Sequence, residues 1–408
     1  MTVLSDYADI VGKKNINQIK SLARLSQGKK VVMVNSTKDG GGVAEILHRL
    51  VPLLNELEID CRWEVIAGSK EFFNITKNMH NGLQGTKRSF SADEYSKYLS
   101  INEKNSKNLD LDDADIVIIH DPQPLAIKHF YKNSKAKWVW RCHIDVSRPD
   151  LALWKFLKKY IMEYDSSIFS IAKFAKNLQH PQYLIAPTID PLSDKNRFLE
   201  EDEIDRILKP LDLSGDKHMI LQVSRFDRFK DPVGVIKAIR LVKKEIHCSL
   251  VLAGGLASDD PEGEEVLEEV KKEADGDPDI KVLLLKPKSD IIINALQRKA
   301  DVVIQKSIKE GFGLVVTEAM WKEKAVIGGE VGGITIQLYN HRTGFLVNSI
   351  EGAAYRTRYL LNRPEIAKKI GRQAKLFVTE NYLITRHLRD YLALFAILDN
   401  PGKNIIQV

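Results

Sequence analysis

The sequence predicts an α/β protein made of two doubly wound halves facing one another, each a parallel sheet covered by helices. Three observations predict it. Short β-branched runs alternate with helical patterns along the whole chain, the arrangement that gives parallel strands with right-handed crossovers. Several of these runs are continuously apolar rather than alternating, as strands covered on both faces require. The length of 408 residues exceeds what one hydrophobic core usually organises, so two domains are the default.

The first half carries strand patterns at Val31–Asn35, Trp63–Ile66, Asp115–His120, Trp138–Cys142, Ile168–Ser170 and Tyr183–Ala186. The second carries them at Met219–Ser224, Ser249–Ala253, Lys281–Leu285, Asp301–Gln305, Ala325–Gly328 and Phe345–Val347. Between the halves, Pro187 to Asp216 is rich in turn chemistry: Asp190-Pro191, Ser193-Asp194-Lys195-Asn196 and Ser214-Gly215-Asp216, with an acidic helical segment near Glu200–Leu208. The expected domains are therefore residues 1–200 and 201–381. A final helix of about Tyr382 to Leu398 is placed to cross back to the first domain with the tail to 408.

Composition excludes several classes. Hydrophobic residues make up 44% and charged residues 28%, ordinary values for a globular protein. The net charge of +6 is spread along the chain, without the dense basic stripe of a nucleic-acid binder. The three cysteines Cys61, Cys142 and Cys248 lie far apart, so neither a disulfide framework nor a metal-ligand spacing arises. Asp6 and Asp9 interrupt the N-terminus and no apolar h-region follows, against a signal peptide. No apolar run approaches the roughly 18 residues needed to span a bilayer. The chain reads as cytoplasmic, with no membrane and no nucleic-acid partner.

Three stretches carry chemistry. The strand at Val31 runs into Gly40-Gly41-Gly42 and then a helix, so backbone can approach an anion at a helix N-terminus. The spacing is neither GxGxxG nor GxxxxGK[ST], and a plain tight turn is the alternative. The second stretch, Ser224-Arg225-Phe226-Asp227-Arg228-Phe229-Lys230-Asp231-Pro232, follows a buried strand and starts a helix. Arg225 and Lys230 thus sit at the carboxyl edge of a parallel sheet, where a guanidinium and an ammonium can clamp a diphosphate. Pairing with Asp227 or Asp231 in a solvated loop is the alternative. The third stretch is Glu310-Gly311-Phe312-Gly313-Leu314-Val315-Val316-Thr317-Glu318. Two acids flank a glycine turn that opens a helix, suited to acid/base work or to gripping hydroxyls. Alternatively Glu310 caps that helix and Glu318 lies on the surface.

Together these stretches resemble the retaining GT-B glycosyltransferases of family 4, whose Glu-x7-Glu signature matches Glu310 and Glu318 and whose basic pair matches Arg225 and Lys230. Within that family the chain is similar to the glucose-transferring trehalose synthases. The similarity rests on Asn35 to Glu45, Trp140-Arg141-Cys142-His143-Ile144-Asp145, Ile189-Asp190-Pro191-Leu192-Ser193, Gln222 to Asp227, Asp259-Asp260-Pro261-Glu262-Gly263 and Glu310 to Lys322. The resemblance implies transfer of glucose from ADP- or UDP-glucose to free glucose, giving α,α-trehalose with retained configuration. It implies that Arg225 and Lys230 neutralise the leaving diphosphate, that Glu318 binds ribose and that Glu310 contacts the donor glucose without acting as nucleophile. Gly313 and Leu314 would assist the phosphates, Gly41 and Gly42 would approach from the other domain, and the base would lie near Lys286.

The same resemblance gives His143 an active-site role and makes Asp145 and His120 candidate acceptor contacts, with turn chemistry the alternative for His120-Asp121-Pro122-Gln123-Pro124. No Asp-x-Asp metal motif lies at a strand end, although Mg2+ accompanying the nucleotide is compatible, and no tightly bound cofactor is implied. A homodimer is expected. Lys230-Asp231 departs from the family's frequent Lys-Gly, so Asp231 either weakens donor binding or caps the next helix. The rival activities are a trehalose phosphorylase using glucose 1-phosphate and a GT-B sugar-nucleotide epimerase. A non-catalytic nucleotide-sugar sensor is the rival from another class.

Overall fold

The structure, a computed structural model, describes residues 2–38, 41–132, 134–213, 217–255 and 261–400, the side chains of Pro261 and Glu262 excepted. Gly40, the Ser214-Gly215-Asp216 turn and Asp259-Asp260 lie outside the described residues.

The chain divides into two compact units, residues 1–187 with 384–408, and residues 188–383. The first holds β1 (Lys30–Asn35), β2 (Asp60–Val65), β3 (Ile116–His120), β4 (Lys137–Cys142), β5 (Ser166–Phe169) and β6 (Gln182–Leu184). They form one parallel sheet in the order β2-β1-β3-β4-β5-β6. The second holds β7 (His218–Val223), β8 (Cys248–Gly254), β9 (Ile280–Leu284), β10 (Val302–Gln305), β11 (Ala325–Gly329) and β12 (Phe345–Val347). These too are parallel, in the order β12-β11-β10-β7-β8-β9. Every predicted strand is present, displaced at its ends by at most a few residues.

The continuous apolar runs explain this. All five residues of β3 are buried, as a strand with helices on both faces must be. In the second unit Ile220, Leu250, Leu252 and Ile304 of the sheet pack with Val235, Ile239 and Val242 of the helix Pro232–Val242. Each such side chain contributes about 1.5–3 kcal/mol when removed from water.

The strand order places the candidate sites. Chain direction across the sheet reverses between β1 and β3 in the first unit and between β7 and β10 in the second. At such a switch point the loops leave the carboxyl edge in opposite directions and open a crevice. Residues 188–200, read from sequence with the first half, pack in the second unit. There Asn294 Nδ2 donates to Asp194 O and Arg197 O at 2.8 Å, and Lys322 Nζ donates to Asn196 Oδ1 at 2.8 Å. Turn residues mark a polar stretch but do not tell which side it packs against. The helix Ile384–Leu398 belongs to the first unit and packs on the helices Lys13–Ala23 and Gly41–Glu56.

Candidate active site

In the second unit the switch point brings the two predicted motifs together. The loop after β7 carries Arg225 and Lys230, and the loop after β10 carries Glu310. Lys230 Nζ donates to Glu310 Oε2 at 2.7 Å, across 80 residues of sequence. Ser307 Oγ donates to the same oxygen at 3.1 Å, and Gln305 Nε2 donates to Ser307 Oγ at 3.1 Å. A carboxylate held by an ammonium and a hydroxyl has a fixed position. Arg225 is half-exposed, with its Nη2 3.7 Å from Asp227 Oδ2.

Asp231 does not compete for Lys230. Its side chain accepts from Gly234 N at 3.1 Å as the cap of the helix Pro232–Val242, and its other oxygen pairs with Lys306. The Asp231 departure from the family pattern is thus a helix cap. The main chain of the motif is anchored as well: Gln222 Nε2 donates to Lys230 O at 2.8 Å, and Ile308 N donates to Phe229 O at 2.8 Å. The last bond ties the two loops into one piece.

Glu310 is not a helix cap. Gly313 is the N-cap of the helix Leu314–Trp321, with φ +86°. The first turn of that helix leaves N–H groups without intrahelical acceptors, at the edge where an anion would lie. A third segment supports the loop. Gly333 N donates to Gly311 O, and Gln337 Nε2 donates to Phe312 O at 2.7 Å. At Gly332 a Cβ would fall 1.6 Å from Glu310 O, so only glycine allows this approach.

Glu318 is 2% exposed, which removes the surface reading. Its Oε1 lies 3.9 Å from Lys195 Nζ, while Oε2 is buried with no hydrogen-bond partner among the described residues. A carboxyl oxygen left bare in the interior is costly, and hydroxyl donors of a ligand would relieve it. Lys322 lies one turn on, fully buried, and donates to Asn196 Oδ1 and Gln297 Oε1 at 2.8 Å and to Glu318 O at 3.2 Å. Burial pushes its ammonium down to about 7, against the pull of Glu318. The sequence reading missed Lys195, Lys322, Ser307 and Gly332. Lys195, Lys322 and Gly332 matter through residues far away in the chain, and Ser307, though close to Glu310 in sequence, stands in no motif. Lys286 is exposed on the loop after β9, and its carbonyl accepts from Ser289 Oγ at 2.7 Å.

In the first unit Gly41 has φ +80° and opens the helix Gly41–Glu56, with Gly42 in its first turn. Across the switch point β3 ends at His120. His120 is buried, and its Nδ1 lies 3.0 Å from His143 Nε2. His120, a candidate acceptor contact from sequence, is thus held against the His143 ring. Asp121 takes a left-handed backbone conformation, φ +65°, and its Oδ1 accepts from His143 N at 2.8 Å. The turn after β3 is strained at Asp121 and pins the His143 main chain. Burial pushes Asp121 up to about 7 against the His143 N–H and Arg141, which act to lower it. Asp145, two residues past His143, turns back to accept from Ser147 N at 2.9 Å. Among the described residues no group of three His, Cys, Asp or Glu side chains is placed to hold a metal ion, and no helix is long and apolar enough to cross a membrane.

Comparison with known proteins gives this geometry a family. Residues 33–176 match the family described as trehalose synthase, N-terminal domain, and residues 203–377 match glycosyl transferases group 1. A trehalose synthase of Thermococcus litoralis is 46% identical over 396 residues, covering 96% of both chains. A trehalose phosphorylase of Pleurotus pulmonarius is 27% identical, over 84% of this chain but 54% of its own. Among solved structures, a sucrose-phosphate synthase of Thermosynechococcus elongatus superposes with a TM-score of 0.72 at 16% identity, covering 91% of this chain and 99% of its own. Two Rossmann-like units of this topology, with cations and acids gathered at the switch point, define a glycosyltransferase of the GT-B fold. The chain belongs to the trehalose synthase family of the group 1 glycosyl transferases.

Proposed function

We propose that the protein is a retaining glucosyltransferase that makes α,α-trehalose from a nucleoside-diphosphate glucose and free glucose, and runs in reverse. The observation that carries the donor assignment is Glu318 Oε2. It is a buried acceptor without a donor among the described residues, about one turn into the helix that opens at Gly313. A ribose has the paired hydroxyls for Glu318, and a diphosphate has the charge for Arg225, Lys230 and the helix N-terminus. The high identity to trehalose synthases over nearly the whole chain supports glucose and trehalose as the sugars.

In the transfer, the bond from glucose C1 to the β-phosphate oxygen breaks and a bond from C1 to the acceptor's anomeric oxygen forms on the same face. The acceptor proton passes to the departing phosphate oxygen. Arg225 and Lys230 stabilise the negative charge that grows on that oxygen, the contribution that lowers the barrier most in reactions of this kind. Glu310, fixed by Lys230 and Ser307, positions the donor glucose and faces positive charge developing at C1. His143 holds a sugar hydroxyl. A divalent ion travelling with the nucleotide needs no protein site in this scheme, and a homodimer is the proposed assembly.

The test is product analysis with free glucose and a panel of ADP-, UDP- and GDP-glucose, with trehalose plus inorganic phosphate in parallel. Trehalose and free nucleoside diphosphate are expected from one or more donors. Cleavage of trehalose by phosphate in place of nucleotide would establish the phosphorylase reading, which the more distant relatives represent. Turnover of the donor without any acceptor sugar would establish an epimerase.

A further inference from the structure

We propose that His120 is a positioning residue for the transfer: its Nδ1–H donates to His143 Nε2, fixes the plane of that ring, and leaves the Nδ1–H of His143 to meet a sugar hydroxyl. The proposal rests on the active-site role given to His143 above. Its central claim, the tautomer, can nevertheless be read without any turnover.

The geometry is that of an edge-to-edge hydrogen bond. The ring nitrogens are 3.0 Å apart, the ring centroids 5.3 Å apart, and the ring planes within 13°. Two nearly coplanar imidazoles joined end to end by N–H···N have about this centroid separation, so the pair is bonded in plane and not stacked face to face. Both rings hang from rigid backbone. His120 is the last residue of β3, in register with Arg141 of β4, and His143 follows that strand directly. The His143 main chain is pinned through Asp121 Oδ1. Asp121 is itself held by its N–H on Arg141 O at 2.8 Å and its carbonyl on Trp140 Nε1 at 3.1 Å.

The position of the proton follows from the surroundings. Burial pushes His120 down to about 3 and His143 well below its ordinary value, and Arg141 acts in the same direction on both. Both rings are therefore neutral, and one proton lies between them. His120 Nε2 is buried with no hydrogen-bond partner among the described residues. Arg141, fully buried, donates Nη2 to Ile185 O at 2.6 Å, while its Nε and Nη1 have no hydrogen-bond partner among the described residues. An N–H at His120 Nε2 would be an orphaned donor near a cation. A bare lone pair there is favoured by the same charge. The His120 proton therefore sits on Nδ1, His143 Nε2 accepts it, and His143 keeps its own proton on Nδ1. Without His120, the His143 ring would be free to present either a donor or a bare acceptor.

The experiment uses the full chain labelled with 15N-histidine, with long-range 1H–15N spectra and steady-state kinetics on the same samples. The His143 signals are identified by their loss in His143→Asn. In the wild type, His143 is expected with Nδ1 protonated and Nε2 bare. In His120→Leu it should move toward the Nε2–H form, with kcat falling about tenfold or more and KM changing by less than about threefold, as loss of orientation predicts. His120→Asn, whose amide nitrogen can take the place of Nδ1, should restore the His143 pattern and most of kcat. Wild-type His143 with a protonated Nε2 overturns the proposal, as does an unchanged His143 spectrum and kcat in His120→Leu. If the leucine variant does not fold, the wild-type and asparagine spectra still decide. If the protein transfers no sugar, the spectra fail or succeed independently of that.

Discussion

In the first unit the switch point holds a neutral pair of imidazoles above a buried, incompletely bonded arginine. In the second it holds an ammonium on a carboxylate, with another carboxylate oxygen waiting. The sheets are alike and the loops leave them at equivalent places, so topology alone does not account for the difference. Charge does. In the proposed transfer a departing diphosphate needs fixed cations, and Arg225 and Lys230 supply them. A sugar hydroxyl needs a donor or acceptor of fixed direction without net charge, which a buried neutral histidine supplies at less electrostatic cost.

The largest effects are expected where charge develops. In the proposed transfer Lys230→Ala removes both a phosphate contact and the ion pair that orients Glu310, and Arg225→Ala removes the second cation. Each should lower kcat/KM by about 10²–10³, as loss of one oxyanion-stabilising group does. His143→Ala, which removes a neutral contact, should cost less than either. Steady-state kinetics with saturating glucose checks the order. A His143 variant weaker than Lys230→Ala would break the contrast between the units.

The strands were legible because buried parallel strands must be continuously apolar, and β3 and β10 are plain in the sequence for that reason. The acids and bases of the second unit were legible as motif residues. Their arrangement was not, since Lys230 meets Glu310 only after β7 and β10 pair. Local pattern likewise hid that Lys195 and Lys322 frame Glu318, and that His120 bonds to His143 rather than to solvent. Asp231 shows the reverse case. Its capping role was one of two readings open from sequence, and the Gly234 N–H decided it.

Asp121 and Lys322 should contribute to the pH dependence of stability in opposite directions. Asp121 rises from its ordinary 3.8 to about 7 on folding. The folded state therefore binds more protons between those values. The stability this group contributes is present below pH 4 and is lost as pH rises through about 7. Lys322 falls from 10.5 to about 7, so the unfolded state binds more protons between those values and stability grows as pH rises from 7 toward 10.5. Each window spans on the order of a few kcal/mol. Urea titrations from pH 5 to 9.5 should show Asp121→Asn losing the falling contribution and Lys322→Met losing the rising one. Identical pH profiles for wild type and either variant would sink that assignment.

A smaller effect is expected at Glu318. Glu318→Gln keeps the size of the side chain but removes the charge that strengthens its hydrogen bonds to hydroxyls. Donor binding, measured calorimetrically with the nucleoside diphosphate alone, should weaken about tenfold, the loss of roughly 1.4 kcal/mol. Glucose 1-phosphate, which lacks a ribose, should bind wild type and variant equally. A matching loss with both ligands would place Glu318 on the sugar or phosphate side.

The smallest effect belongs to Gly41. Both Gly41 and Gly332 take positive φ, but a Cβ on Gly41 meets nothing within 4 Å, whereas one on Gly332 would strike Glu310 O. Gly41→Ala therefore tests conformation alone. It should cost about 1–2 kcal/mol of stability from the left-handed backbone. Any further loss of activity would have to come from a ligand approaching that helix N-terminus. Comparing the variant's donor affinity with its loss of stability separates the two. If affinity falls only as far as the folded fraction falls, the Gly41-Gly42 segment is a tight turn and the second unit binds the donor phosphates without it. If affinity falls further, the Gly41-Gly42 backbone takes part in donor binding.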